Sequence, residues 1–111
     1  MSDIKHHPFT HGYIDAIEFT ESEEWGADTD GFSDAALRQI YADCEAFLAK
    51  HSEDLEGREY DAGVCFWLSR NHHGSGFWDS DFAAKDALDE TSKKFRECNT
   101  YVGDSNEIHL D

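Results

Sequence analysis

The apolar positions of this chain form short runs whose spacing changes from segment to segment. The densest lies in residues 61–79, DAGVCFWLSRNHHGSGFWD. Two aromatic-rich runs, Val64 to Leu68 and Gly76 to Trp78, flank a polar stretch from Arg70 to Ser75. Aromatic and β-branched residues suit a pleated, half-buried surface, and Asn and Gly supply the positive-φ positions of a tight turn, so the pattern predicts a β-hairpin. Val64, Phe66 and Leu68 would then share one face, with Cys65, Trp67 and Ser69 on the other. Elsewhere the period is helical. Phe9, Tyr13, Ala16, Ile17 and Thr20 make a stripe over residues 9–20, whereas strand alternation there would set Asp15 on the apolar face. Leu37, Ile40, Tyr41, Cys44, Phe47 and Leu48 form a second stripe running to about Lys50. It follows an N-cap at Ser33, an acid at Asp34 and a Phe32–Leu37 staple, frays across 51–56 and stops at Gly57.

A third helix is expected over about 81–97, capped by Ser80, with a narrow seam of Ala84, Leu88, Thr91, Phe95 and Cys98. Its bases Lys93, Lys94 and Arg96 lie near the C-terminal end, where the helix dipole favours them. Residues 100–102 and 108–110 flank the turn-rich Gly103 to Asn106 and predict a short second hairpin. The order implies an α+β fold: a small antiparallel sheet, made of the central hairpin at about 61–79 and the C-terminal hairpin, packed with three helices. The 111 residues suit a single domain, with 1–8 as a flexible arm.

Charge changes the picture more than composition does. A hydrophobic fraction of 39% can build a core, but the formal net charge is −16. Such a field repels phosphate backbones, so direct nucleic-acid binding is not expected, and it attracts proteins with basic clefts. Glu18, Glu21, Glu23, Glu24, Asp28, Asp30 and Asp34 crowd one region with Trp25 and Phe32 among them and no base. They form either a solvated loop or a band of negative charge. Cys44, Cys65 and Cys98 are an odd number without CxxC spacing, which fits buried thiols in a reducing cytoplasm. No apolar run reaches the ~18 residues of a membrane helix, and no membrane partner is expected.

Signals for chemistry are weak. His6, His7 and His11 lack the accompanying carboxylates or second cluster of a metal site, and adjacent His72 and His73 would point apart. No GxSxG, phosphate-loop or HExxH pattern occurs. Trp67, Arg70, Asn71, His72, His73 and Trp78 could together make a ligand patch on the hairpin. Within it His73, with Asp79 across the turn, is the residue to suspect as a base. No cofactor is expected.

The block Phe66 to Asp79, FWLSRNHHGSGFWD, followed by a helix and then Tyr101 to Asp104, YVGD, resembles a family of small acidic proteins encoded by bacteriophages and prophages. That family carries an FWL-[ST]-RN-x-HG-x-GFWD core, an N-terminal YI-x-A segment (here Tyr13 to Ala16) and an acidic, cysteine-bearing middle helix (here Ala42-Asp43-Cys44). The resemblance covers most of the chain. It implies a phage setting and a helix at 9–20, and it supplies no mechanism. The expectation is an accessory protein that binds a host protein, such as a DNA- or RNA-binding protein, by occupying its basic cleft as a nucleic-acid mimic. A small-molecule module or small enzyme built on Arg70–Trp78 is the alternative, and a homodimer through exposed hairpin aromatics is a third.

Overall fold

The computed structural model describes residues 4–25, 29, 31–71, 76–103 and 106–110. Four α-helices dominate: α1 (Pro8–Trp25), α2 (Asp34–His51), α3 (Glu59–Arg70) and α4 (Lys85–Lys94). Strands β1 (Thr100–Val102) and β2 (Ile108–Leu110) close the chain as an antiparallel pair with Tyr101 opposite His109. Helix α2 and the C-terminal hairpin lie where the periodicity puts them, and α1 runs five residues past the expected 9–20, so that Glu21, Glu23 and Glu24 are helical and not part of an acidic loop. Ser33 caps α2, its hydroxyl accepting from the Ala36 N–H at 3.1 Å.

The α+β expectation fails at its centre. The segment expected to form the main hairpin is helix α3, so the fold is mostly helical and the small C-terminal pair is the one sheet among the described residues. The physical reason is visible in which residues are buried. Ala62, Gly63, Phe66, Trp67 and Arg70 point inward, and Val64, Cys65 and Leu68 only partly so. That is a helical spacing of i, i+1, i+4, i+5, i+8, which the period-2 reading of Val64, Phe66 and Leu68 masked. Phe66 and Trp67 therefore do not lie on opposite faces of a sheet; both are fully buried. Gly76, Phe77, Trp78 and Asp79 are a capped turn and not a strand: Phe77 to Asp79 form one 3₁₀ turn, and the Asp79 carboxylate accepts from the Gly76 N–H at 3.0 Å. The last helix is also shorter than expected. It begins at Lys85, and Ser80 instead closes the preceding turn by donating to the Phe77 carbonyl at 2.6 Å.

Helices α1 and α3 pack most intimately, through two glycines. A Cβ on Gly12 would fall against the Tyr60 carbonyl group, 2.9 Å from its carbon, and one on Gly63 would lie 2.8 Å from the Tyr13 nitrogen and closer still to the Phe9 carbonyl oxygen. The two backbones touch where any larger residue would hold them apart.

Above this crossing sits an aromatic core centred on Phe47 of α2. Its ring stacks on Phe66 at 4.4 Å, on Phe9 at 5.3 Å and on Phe77 at 5.8 Å between centroids. Phe47 is fully buried, and burial of one such ring contributes about 2–3 kcal/mol. The C-terminal hairpin is fastened to the start of α2 through the Ser33 N–H to Ile108 carbonyl bond at 2.9 Å and the Ile108 N–H to Gly31 carbonyl bond at 2.8 Å. Trp25, at the end of α1, is pinned to it as well: its indole N–H donates to the Thr100 hydroxyl at 2.8 Å.

Candidate functional site

The residues expected to form a ligand patch are largely spent on the fold. Trp67 is fully buried and donates its indole N–H to Thr20 at 2.8 Å, tying α3 to α1. Arg70 is 5% exposed and reaches four acceptors: Asp43 and the Tyr13 hydroxyl through Nη1, both at 2.8 Å, the Phe95 carbonyl at 2.8 Å, and the Arg96 carbonyl through Nε at 2.9 Å. One guanidinium thus joins α1, α2, α3 and the segment after α4. Burial opposes its charge, and Tyr13 and Asp43 more than offset that, so Arg70 sits above its ordinary value. Asn71 does the same work beside it, accepting from the Cys98 N–H at 2.7 Å and donating to the Trp67 carbonyl at 3.0 Å. Trp78, half exposed, and Asp79 point outward. His72 and His73 lie outside the described residues, so neither can be placed beside Asp79.

The acidic residues separate in the same way. Glu18, Glu23 and Asp34 are exposed, while Glu21 is half-buried and accepts from the Thr100 hydroxyl at 3.2 Å. Asp28 and Asp30 lie outside the described residues, as does the side chain of Glu24. The middle helix adds less to this surface than its sequence promises, because Asp43 turns inward to Arg70. Along α1 the acids at 15, 18, 21, 23 and 24 average about 3.4 Å of rise each, equal to the charge spacing of one duplex strand. The described ones fan around the helix, from exposed Asp15, Glu18 and Glu23 to half-buried Glu21. The match is therefore in charge per length and not in pattern.

Of the amino-terminal histidines, His6 and His11 are exposed, and His7 accepts from the Phe9 N–H at 3.1 Å, capping α1. Among the described residues no group of three His, Cys, Asp or Glu side chains is placed to hold a metal ion. His51 is buried between Asp54 at 3.0 Å and the Thr91 hydroxyl at 2.8 Å. This line of groups resembles a relay, but Thr91 is itself 8% exposed within a helix–helix contact, and the set serves as a polar fastening of α2 to α4.

Two concavities of about 460 Å³ stand out. The first, between α2 and the C-terminal hairpin, is lined by Gln39, Asp43, Arg70, Arg96, Tyr101 and His109 among others. Its polar groups answer one another, since exposed Gln39 and buried Arg70 both donate to Asp43 at 2.8 Å. The second is an apolar groove between α1 and α3, lined by Asp15, Ala16, Phe19, Thr20, Tyr60, Val64 and Leu68. Phe19 is 89% exposed. Periodicity placed it in α1 without remarking on it. The available signal is that it falls off the buried stripe, with Asp15 four residues before it and Glu23 four after.

The cysteines are all thiols: Cys44 and Cys98 are buried and Cys65 half-buried. Burial pushes the Cys65 thiol up to about 11 from an ordinary 9, and pushes Cys44 up further. Alkylation of the native protein at pH 8 is accordingly expected to label Cys65 first, about 100-fold more slowly than in denaturant. Labelling of Cys44 ahead of Cys65 would contradict the packing.

No described helix is long and apolar enough to cross a membrane. No protein-family model matches the chain, and no curated protein or solved structure matches it.

Proposed function

We propose that this chain is a non-enzymatic binding protein of phage type whose acidic surface occupies a basic cleft on a host protein, one that itself handles DNA or RNA. The observation that carries the reading is the surface of α1: five acids, no lysine or arginine in 18 residues, and exposed carboxylates at Asp15, Glu18 and Glu23. In support, four of the nine bases are engaged with internal carboxylates, Arg58 with Asp81, Arg70 with Asp43, Lys93 with Asp89 and Lys94 with Glu90. The other five, Lys5, Arg38, Lys50, Lys85 and Arg96, are exposed, and none of them lies on α1. Trp67, Arg70 and Asn71 are occupied in holding the fold, which weighs against a ligand patch centred on them. Charge of this density steers association and is screened by salt, with a Debye length of ~8 Å at physiological ionic strength.

The test is capture of partners from bacterial lysate by the tagged protein, eluted along a salt gradient. A nucleic-acid-binding protein should be released stepwise by salt and displaced by added DNA. Glu18→Lys with Glu23→Lys replaces two negative charges on an exposed surface by two positive ones, a net change of four units, and is expected to weaken that capture about tenfold or more. No partner at low salt, or retention indifferent to the charge reversal, sinks the reading.

A further inference from the structure

The apolar groove between α1 and α3 has a floor that belongs to the fold, Ala16 in the core and Val64 and Leu68 packed against it, and the Tyr60 hydroxyl donates to Asp15 across it; its rim at Phe19 is left open. Its α3 wall is the row Tyr60, Val64, Leu68, one residue per turn, and its α1 wall carries Ala16, Phe19 and Thr20. A phenylalanine 89% exposed on a helix, beside a tyrosine 44% exposed, leaves a contiguous apolar surface open to water. Isolated exposed aromatics are ordinary, but a lined groove of about 460 Å³ lies within the ~300–1,000 Å³ range of sites that bury a ligand.

The charge around the groove limits what can fill it. Asp15 is in its lining, Glu18 precedes Phe19, and Glu23 stands one turn beyond it on the same side of α1. Neither wall offers an exposed cation: α1 contains no Lys or Arg, and the one base of α3, Arg70, is buried on Asp43. A second copy of this chain would bring these carboxylates against one another. An anionic surface, whether nucleic acid or lipid headgroup, would be repelled.

We infer that the groove is a docking site for a cationic amphipathic helix of the partner protein, with an apolar side chain seated between Phe19 and the Tyr60–Leu68 row. Lysines or arginines beside that side chain would meet Glu18 and Glu23, and Asp15 where it is not already accepting from the Tyr60 hydroxyl. This is helix-in-groove recognition, in which apolar anchors at i, i+3, i+4 and i+7 give affinity and flanking charges set orientation. The inference rests on the reading of the chain as a binding protein and adds what the partner must present. A basic cleft met through charge alone would not need Phe19.

The probe is a fluorescein-labelled 18-residue Leu/Lys peptide with its leucines on one helical face. A second peptide of the same composition, with leucines scattered round the helix, is the comparison. Fluorescence anisotropy at physiological salt should show the amphipathic peptide binding about tenfold or more tightly than the scattered one. Phe19→Ala removes an exposed ring, Tyr60→Ala removes a part-exposed ring together with its bond to Asp15, and circular dichroism would verify that both variants fold. Each should remove most of that difference, while Glu18→Lys should weaken both peptides alike. Equal affinities for the two peptides overturn the groove and leave the charge-steered reading intact. No binding of either also overturns it, and the lysate experiment then decides the broader reading on its own. Sedimentation of the protein alone as a dimer that Phe19→Ala dissolves would show that a second copy fills the groove, which equally overturns the inference.

Discussion

Gly63→Ala is expected to cost at least about 3 kcal/mol, enough to unfold a substantial fraction of a domain whose total stability is in the usual ~5–15 kcal/mol range. The sign is what makes the experiment informative. In an ordinary helix interior Ala is about 1 kcal/mol better than Gly, so a helical Gly63 facing open space would be stabilised by the change. Here the added methyl meets the carbonyl of Phe9 and the amide of Tyr13, both main-chain atoms that no rotamer change can move. Relief requires α1 to lift from α3, which would part Tyr13 from Phe66 and Trp67, now 5.1 and 5.5 Å away between ring centroids. Gly12→Ala should behave alike, because its methyl meets the Tyr60 carbonyl group. Denaturant melts settle the matter: a stability for Gly63→Ala equal to or above wild type would mean that the helices do not cross on these glycines.

Arg70→Ala comes next, with an expected loss of about 3–5 kcal/mol. It strands Asp43, whose side chain is only 12% exposed, and withdraws the donor from the Phe95 and Arg96 carbonyls and from Tyr13. Arg70→Lys should also be destabilising, because an ammonium cannot reproduce a planar fork aimed at four acceptors. The pair Asp43→Asn and Arg70→Met is expected to be non-additive by about 1–3 kcal/mol, since each single change leaves the other group buried without its counter-charge. An Arg70→Ala variant within about 0.5 kcal/mol of wild type would show that the guanidinium is not the tie between the helices.

The same region sets an alkaline limit. Burial raises the Tyr13 phenol well above its ordinary 10, and the Cys65 thiol from 9 to about 11. In both cases the folded chain holds a proton that the unfolded chain releases, so stability is fully present below pH 9 and falls as pH rises through 9 to 11 and beyond. Urea midpoints measured across that interval should decline. A flat profile would contradict the burial of these two groups.

Much of this architecture was legible before any coordinates. Pro8–Trp25 and Asp34–His51 are helices because their apolar stripes recur every three to four residues, and Ser33 caps the second because its hydroxyl replaces a missing main-chain acceptor. The 100–102 and 108–110 strands followed from the turn residues between them. Local chemistry decides such elements, and one sequence contains all of it. The acidity of α1 was equally plain, since charge is counted from the chain.

Helix α3 was not legible, for a physical reason. In VCFWL, intrinsic preference favours strand, and five consecutive apolar residues satisfy a period of 2 as readily as one of 3.6. What chooses helix is contact with other segments: Gly63 admits α1, Phe66 enters the stack on Phe47, and Arg70 finds Asp43 twenty-seven residues earlier. The same holds for function. Arg70 and Trp67 look like binding residues until a tertiary partner is found for each, and Phe19 lies off the α1 stripe with nothing in the sequence to show that α3 leaves it uncovered. Composition determined that this is an acidic chain with enough apolar and aromatic residues for a core. Which aromatics it hides and which it offers to a partner was decided by where two glycines let α1 cross α3.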